Sequence, residues 1–294
     1  MPAIYSQVQN RAVETLKLSD VQVRTPCQPS KMICLWNNFH QLAAKNDFQQ
    51  PKEPLWFLKA PNSYWPANRP IERPATYAGK IIYEGELGVV IGKKCFNISE
   101  AEAGDYIFGY TCVNDVTAVD LLRKDKSFEQ WARAKSFDTF GVFGPVIATG
   151  VDPMKLSVKT ILNGKERQNY PVADMFFPPH KLVAAISKDV TLMPGDIIAC
   201  GTSLGAGTMG DAHNVVDIVI DGVGSSRQCF RPGAAEPIPA RRAAQAEEDL
   251  RGRRGRHRRP AGGQVCARGR GRHRHRPGRA SRRDPEEWPQ AGVA

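Results

Sequence analysis

Long hydrophobic runs are absent from this sequence of 294 residues. No stretch approaches the roughly 20 consecutive apolar residues that a membrane-spanning helix needs, so we expect no association with a membrane. The first 18 residues mix charged and apolar side chains and lack the apolar core of a secretion signal. These two absences predict a cytoplasmic protein.

Closely spaced cysteine pairs are absent as well. The 7 cysteines are widely scattered, and none stands in a Cys-x-x-Cys arrangement. This spacing argues against a zinc knuckle and against a thioredoxin-like redox motif. An odd number of scattered cysteines is typical of reduced thiols rather than of a disulfide framework, which again favours a cytoplasmic location.

Lysine and aromatic residues are scarce in the last part of the chain. Residues 231–294 hold 17 arginines, 7 acidic residues, no lysine and a single aromatic residue, Trp288. With so few apolar side chains, this Arg/Gly/Pro-rich tail is expected to be disordered, or to be the product of a shifted reading frame. Arginine- and glycine-rich tracts can bind RNA, but without interleaved aromatic residues we do not expect nucleic acid as a partner.

The rest of the chain is rich in β-branched residues and glycine. Residues 79–93, GKIIYEGELGVVIGK, predict one strand, and a second strand is predicted to end at Asp115. Asn163-Gly164 predicts a hairpin turn. Helices are expected at residues 119–134 and, as a short amphipathic helix, at residues 180–190. These patterns together predict an α+β protein that is rich in strands and has short helices.

Two glutamates flank Gly85 inside the first predicted strand. Side chains alternate across a strand, so Glu84 and Glu86 are predicted to share one face, with Asp115 at the end of the next strand. Buried like charges are unfavourable unless one of them is protonated or a cation compensates them, and carboxylate ligands favour Mg²⁺, Mn²⁺ or Ca²⁺. The alternative is a solvated edge strand whose glutamates face water, because one short motif is a weak signal.

Five motifs follow one another in an order that resembles the fumarylacetoacetate hydrolase family. They are YEGELGVVIGK, YIFGYTCVNDVTA, WARAKSFDTFGVFGP, LNGKERQ and LMPGDIIACGTSLGAG, and their order and spacing match over roughly residues 31–222. The resemblance implies a mixed β-roll core, a homodimer, and Mg²⁺ or Mn²⁺ held by Glu84, Glu86 and Asp115. The expected organisation is a small N-terminal or lid segment at 1–68, a metal-binding catalytic domain at 69–230 and the tail at 231–294.

The same resemblance suggests roles for three further residues. Lys135 lies in the motif W-x-x-x-K-S-F-D, where the family has a lysine that contacts substrate oxygens or delivers a proton; beside a dication its pKa would be lowered. Thr202 in CGTS resembles a threonine that binds the substrate carboxylate. Lys59 in FLKAPNS matches a recurrent lysine of the pocket. From the residues alone, the alternatives are solvated lysines and a turn hydroxyl bonded to its own backbone.

The sequence departs from the family pattern in the segment after Asp115. Where the family has NDVSARDLQ, this chain has NDVTAVDLL, so that Val119 replaces a substrate-binding arginine and Leu122 replaces a glutamine. Arg123, four positions beyond Val119, is a candidate substitute for the lost guanidinium. The loss of the arginine argues against a substrate whose second carboxylate is strongly bound at this place.

A second departure concerns the lid motif whose histidine and glutamate activate water in many family members. Those two positions align with Leu42 and Lys45, and His40 lies two places before the first of them. His40 is therefore the candidate replacement base, although a lone histidine in a loop is more often structural or solvated.

The losses favour chemistry that needs no activated water. A dication chelates a 2-oxo acid or 1,3-dicarbonyl compound and holds the enolate that forms when a proton leaves or a C–C bond breaks. Isomerisation and decarboxylation then need only a proton donor, for which Lys135 suffices, whereas hydrolysis needs a general base. We expect an isomerase or decarboxylase acting on small 2-oxo acids in the catabolism of aromatic compounds. The alternatives are a hydrolase with a relocated base and a metal-binding scaffold of reduced activity.

Overall fold

The computed structural model describes residues 22–210 and 213–231. Within these ranges the chain forms short helices and many strands. The strands are β1 (Met32–Trp36), β2 (Leu55–Lys59), β3 (Tyr64–Pro66), β4 (Ile71–Glu72), β5 (Ile81–Tyr83), β6 (Gly85–Ile91), β7 (Ile107–Asp115), β8 (Thr117–Ala118), β9 (Gly141–Phe143), β10 (Ser157–Leu162), β11 (Lys165–Pro171), β12 (Ile197–Ala199), β13 (Gly207–Met209), β14 (Asn214–Ile220) and β15 (Gly224–Arg231). The helices are α1 (His40–Asn46), α2 (Trp131–Lys135) and α3 (Pro179–Asp189). The tail predicted to be disordered lies, beyond Arg231, outside the described residues.

The strands form three mixed or antiparallel sheets. The largest has seven strands in the order β2-β1-β12-β6-β7-β9-β3, and the second has five in the order β11-β10-β14-β15-β4. The third contains β13, β5 and β8. The pairs β1–β12, β3–β9 and β4–β15 are parallel and the other pairs are antiparallel. Mixed sheets with few, short helices confirm the predicted α+β class with its β-rich core.

Burial explains the sequence pattern of the central strands. Every residue of β6 is buried, because this strand lies in the middle of the largest sheet, and its sequence is correspondingly apolar apart from Glu86. Strand β15 instead alternates buried and exposed residues, as expected for a sheet with one covered face. At the β10–β11 hairpin, Asn163 and Gly164 both have positive φ, which confirms the predicted turn.

Residues 79–93 were predicted as one strand, and this prediction is wrong. The chain forms β5 in the three-stranded sheet, interrupts at Glu84, and continues as β6 in the seven-stranded sheet. Strand β7 pairs with β6 and is followed by β8, which pairs with β5. The four strands therefore make a two-stranded ribbon that crosses from one sheet into another. The crossing lies at Glu84 on one strand and Val116 on the other, and we call it the corner.

The helix predicted at residues 119–134 is also wrong. Val119–Leu121 form a 3-10 turn, and α-helix appears only in the five residues of α2. Between them, the Asp125 carboxylate accepts hydrogen bonds from the backbone N and the hydroxyl of Ser127, at 2.9 and 2.6 Å. Such local side-chain bonds compete with helical hydrogen bonding and favour a turn.

The amphipathic helix expected near residues 180–190 is present as α3, whose buried face includes Leu182, Val183 and Ile186. None of the helices in the described part of the chain is long and apolar enough to span a membrane. Residues on both sides of the boundary proposed between 68 and 69 contribute strands to the seven-stranded sheet.

Candidate active site

Two carboxylates lie side by side at the corner. The backbone N of Asp115 donates to the carbonyl of Glu84 at 2.9 Å, and the backbone N of Glu84 donates to Asn114 Oδ1 at 3.1 Å. The Thr117 hydroxyl donates to Glu84 Oε2 at 2.7 Å. Glu86 follows one residue into β6 and is 1% exposed. The corner thus brings together the three carboxylates that the sequence predicted as metal ligands.

Gly85, between the two glutamates, is held by side chains of β11 and of the segment that follows β12. Its backbone N donates to Gln168 Oε1 at 3.0 Å, and its carbonyl accepts from the hydroxyls of Tyr170 and Thr202. A Cβ at this position would lie 2.2 Å from the Thr160 hydroxyl oxygen, far inside van der Waals contact. Only glycine fits, so the position of both glutamates depends on this close approach.

Two buried lysines contact the carboxylates. Lys135 Nζ donates to Glu84 Oε2 and, at 2.6 Å, to Asp115 Oδ2, and this lysine is 3% exposed. Lys59 Nζ donates to Asp115 Oδ1 and, at 3.1 Å, to the carbonyl of Val116, and this lysine is 1% exposed. Neither is a solvated surface lysine. We call Glu84, Glu86, Asp115, Lys59 and Lys135 the carboxylate–lysine cluster.

Burial and opposite charge set the ionisation of the cluster. For Asp115, burial raises the pKa, but Lys135 and Lys59 outweigh it and hold the pKa below its usual range. For Lys135, burial lowers the pKa, but Asp115 and Glu84 outweigh it and raise the pKa above its usual value. Burial, with the charges of Asp115 and Glu84, raises the pKa of Glu86 well above its usual range. The lowered pKa predicted for Lys135 from the sequence assumes a dication beside the lysine. In the cluster without a dication, the carboxylates raise the pKa of Lys135.

The donor chemistry of the cluster fits a hard dication. Three carboxylates face two ammonium groups, and burial with two neighbouring carboxylates makes the negative charge of Glu86 unfavourable. Oxygen ligands of this kind suit Mg²⁺ and Mn²⁺. In the described residues, however, no three His, Cys, Asp or Glu side chains are already spaced as ligands of one ion. Lys135 joins Glu84 to Asp115 and so contacts oxygens that a cation would also use.

Thr202 and His40 differ in their relation to the cluster. The Thr202 hydroxyl donates to the Gly85 carbonyl and accepts from Gln168 Nε2 at 2.9 Å, so it borders the cluster. His40 is exposed at the start of α1, and its ring centroid lies 4.1 Å from that of Phe176. Among the described residues, no hydrogen bond or ion pair joins His40 to the cluster. The roles of both residues stay predictions.

Two of the positions where the sequence departs from the family pattern line one cavity. Val119 and Leu122 line a cavity of about 740 Å³, together with aromatic residues of β1, β2 and α2. Leu42 packs against the core, and Lys45 is exposed. Arg123 lies 3.6 Å from Glu129 with 78% of its side chain exposed. It is a rim residue of the cavity, not a buried guanidinium.

Sequence reasoning gave no role to the side chains that position the cluster. Gln168 bonds Gly85, Thr160 and Thr202, and Asn114 bonds Glu84 and Gln228. Gln168 lies within LNGKERQ, a polar residue that is buried on a half-exposed strand. The alternation of the strand places Gln168 at an inward-facing position, and a glutamine there was the one sequence signal for its role.

The fold agrees with the comparison to known families. The family described as "Fumarylacetoacetate (FAA) hydrolase C-terminal" matches residues 31–231. The chain belongs to the fumarylacetoacetate hydrolase family. This confirms the resemblance stated from the five motifs and the prediction that the chain is an enzyme of this family.

Three relatives illustrate the range of activities. Oxaloacetate tautomerase YisK of Bacillus subtilis is 37% identical over 224 residues, covering 71% of this chain and 72% of its own. The crystal structure of 5-carboxymethyl-2-hydroxymuconate delta-isomerase from Mycobacterium smegmatis has a TM-score of 0.69 at 35% identity, covering 76% and 87%. The structure of maleylpyruvate hydrolase from Sphingobium sp. SYK-6 with manganese(II) and pyruvate has a TM-score of 0.60 at 30% identity, covering 70% and 72%.

Proposed function

We propose that this protein is a divalent-metal-dependent tautomerase or isomerase that moves a proton between carbon and oxygen of a small 2-oxo acid. The observation that carries the proposal is the buried ammonium of Lys135, bonded to Glu84 and Asp115, in a cluster without histidine. A tautomerase and an isomerase among the relatives support it. Chemistry of this kind needs a proton donor but no activated water.

Glu84, Glu86 and Asp115 would hold the metal ion. The manganese(II) in the related maleylpyruvate hydrolase supports this assignment, and Mg²⁺ is the other ion that suits these ligands. When bound, a dication supplies a Lewis acid for the oxygens of the substrate. Because Lys135 already shares two of these carboxylates, the acid that moves the proton lies directly beside the metal ligands.

The residues of the chain account for the proton balance of a keto–enol exchange. Lys135 Nζ donates a proton to the substrate carbon next to the carbonyl, and the neutral amine takes back the proton of the enol oxygen. No other reagent is consumed. Asp115 and Glu84 keep Lys135 protonated before the exchange, and Lys59 holds Asp115 in place. Lys59, Asp115 and Lys135 are at most 3% exposed, which limits the access of bulk water to these groups.

A substrate panel tests this function. The enol forms of oxaloacetate and phenylpyruvate absorb in the ultraviolet, so their decay can be followed with Mg²⁺ or Mn²⁺ and with a chelator as control. We expect metal-dependent acceleration of enol decay and no pyruvate release from acylpyruvates. Pyruvate release without acceleration of enol decay would identify a hydrolase instead, the activity in which His40 is the candidate base. The homodimer stays a prediction, which light scattering of the purified protein tests.

A further inference from the structure

The cavity beside the carboxylate–lysine cluster has predominantly apolar walls. Its volume of about 740 Å³ lies within the range of small-molecule sites. Its aromatic walls include Trp36, Phe57 and Trp131, and its aliphatic walls include Val119 and Leu122. A space of this size accommodates more than the three carbons of pyruvate.

The cavity and the proton donor are neighbours through the Phe57 ring, which lines the cavity and contacts Lys135. Phe57 stacks on Trp131 with ring centroids 5.0 Å apart, and Lys135 Nζ lies 4.9 Å from the centroid of the Phe57 ring. Trp131 and Lys135 are four residues apart on α2, so they lie on one face of that helix. A substrate whose reacting carbon meets Lys135 therefore has the Phe57 ring and the cavity next to it.

The charged side chains of the cavity already have partners. Asp120 Oδ2 accepts from the backbone N of Lys80 at 2.8 Å, and Glu129 accepts from Trp131 Nε1 at 2.7 Å. Arg123, the one cation among the described residues that line the cavity, pairs with Glu129 at the exposed rim. Two acids and one base leave this lining formally negative, which opposes the entry of a carboxylate.

We propose that this cavity receives the distal substituent of the 2-oxo acid, and that this substituent is an uncharged aromatic or aliphatic group. The proposal rests on the proposed function, because it places the reacting carbon at Lys135. A distal carboxylate would lose its hydration against apolar walls without gaining a free cation, which is unfavourable. A buried ring should instead strengthen binding by about 10- to 100-fold.

Calorimetry with two unreactive ligands tests the proposal. 3-Phenyllactate and malate are 2-hydroxy acids that differ in a phenyl ring against a carboxylate at the distal carbon. With the Mg²⁺-saturated full-length protein, we expect 3-phenyllactate to bind about 10- to 100-fold more tightly than malate. Equal binding, or tighter binding of malate, would overturn the proposal.

Substitutions then locate the selectivity. Val119→Arg and, as a second variant, Leu122→Lys bring a cation into the cavity and should shift the ratio of the two dissociation constants toward malate by at least about tenfold. Leu58→Arg is the matched control, because Leu58 lies on β2 next to Phe57 but is exposed outside the cavity. Circular dichroism confirms folding. If both cavity variants keep the selectivity of the unmodified chain, the phenyl ring binds elsewhere and the assignment is wrong.

Turnover separates this proposal from the proposed function. Phenylpyruvate and oxaloacetate carry the same two distal groups on a carbon that tautomerises. Faster enol decay for phenylpyruvate supports both proposals, whereas a preference for oxaloacetate supports the tautomerase and overturns the apolar cavity. Selective binding of 3-phenyllactate without turnover of either 2-oxo acid would leave the cavity assignment standing and reject the tautomerase.

Discussion

The carboxylate–lysine cluster and the aromatic cavity share the Phe57 ring, but different parts of the fold build them. The carboxylates and Lys59 lie on strands or at strand ends around the corner, Lys135 ends helix α2, and four of the five side chains are almost fully buried. Much of the cavity wall comes from residues 119–131, a mostly irregular segment whose charged side chains are largely exposed. Strands therefore hold the carboxylates, whereas helix α2 and the connecting segment before it supply the proton donor and much of the space for the rest of the substrate.

This difference between the cluster and the cavity wall indicates which region of the fold tolerates substitution. A substitution in the cluster disturbs several buried ionic hydrogen bonds at once, and a buried charged group that loses its partner is strongly destabilising. A substitution in the cavity wall changes which distal group fits and leaves the cluster intact. The replacement of the family's arginine and glutamine by Val119 and Leu122 lies in this second region.

The largest expected effect comes from removing the proton donor. Lys135→Met keeps most of the side-chain volume but carries no proton, so turnover of the enol should fall by about 10²–10⁴ with metal saturating. His40→Ala is the control and should change turnover only about threefold or less, since His40 does not contact the cluster. Steady-state kinetics on one substrate measures both variants. A collapse in His40→Ala beside a mild Lys135→Met would make His40 the catalytic base.

The next effect concerns metal affinity. Glu86→Gln removes one charge from the three carboxylates, and we expect calorimetry to show Mn²⁺ affinity reduced by more than about 100-fold, at least the loss that outer-shell substitutions cause. Glu102→Gln is the control, because Glu102 only caps the turn at Ser99 on the surface. Undiminished Mn²⁺ binding in Glu86→Gln would place the ion elsewhere.

A smaller effect tests how tightly the corner is packed. Gly85→Ala puts a Cβ within 2.2 Å of the Thr160 hydroxyl, and such overpacking should destabilise the fold by about 1–3 kcal/mol. Thermal unfolding should then show a melting temperature lower by roughly 2–10 °C. Gly210→Ala is the control, because no atom lies within 4 Å of its Cβ. Equal melting temperatures for the two variants would show that the corner accommodates the added methyl group without loss of stability.

The smallest effect belongs to the rim of the cavity. Arg123→Gln removes an exposed ion pair with Glu129, and exposed pairs contribute about 0–1 kcal/mol. Calorimetry should therefore show the dissociation constant for 3-phenyllactate within about fivefold of that of the unmodified protein. A larger loss would mean that Arg123 turns inward and binds the ligand, which would remove the contrast between the two regions.

Sequence signals predicted the elements that depend on neighbours along the chain. The Asn163-Gly164 turn, helix α3 and the end of β7 at Asp115 follow from local patterns, and the structure contains all three. The break at Glu84 has no local signal. It depends on Gln168 and Tyr170, which reach Gly85 from a strand more than 80 residues away along the chain.

For the candidate site, too, local sequence predicted some features, and contacts between distant residues determine the others. Motif spacing identified the residues of the cluster, but it could not reveal that Lys59 and Lys135 are buried ionic partners of Asp115, since those contacts span 56 and 20 residues. The cavity was missed entirely. Trp36, Phe57 and Trp131 come from three separate elements, and no periodicity along the chain links them.

The corner also ties activity to the completeness of folding. Glu84 lies between the three-stranded and the seven-stranded sheet, and residues of the five-stranded sheet hold the glycine that follows it. A newly made or partly unfolded chain, with any one sheet detached, cannot gather its three carboxylates and therefore cannot begin proton chemistry on the 2-oxo acids around it. Under denaturing conditions, the activity of a sample should therefore be proportional to the fraction of molecules in which all three sheets are packed together.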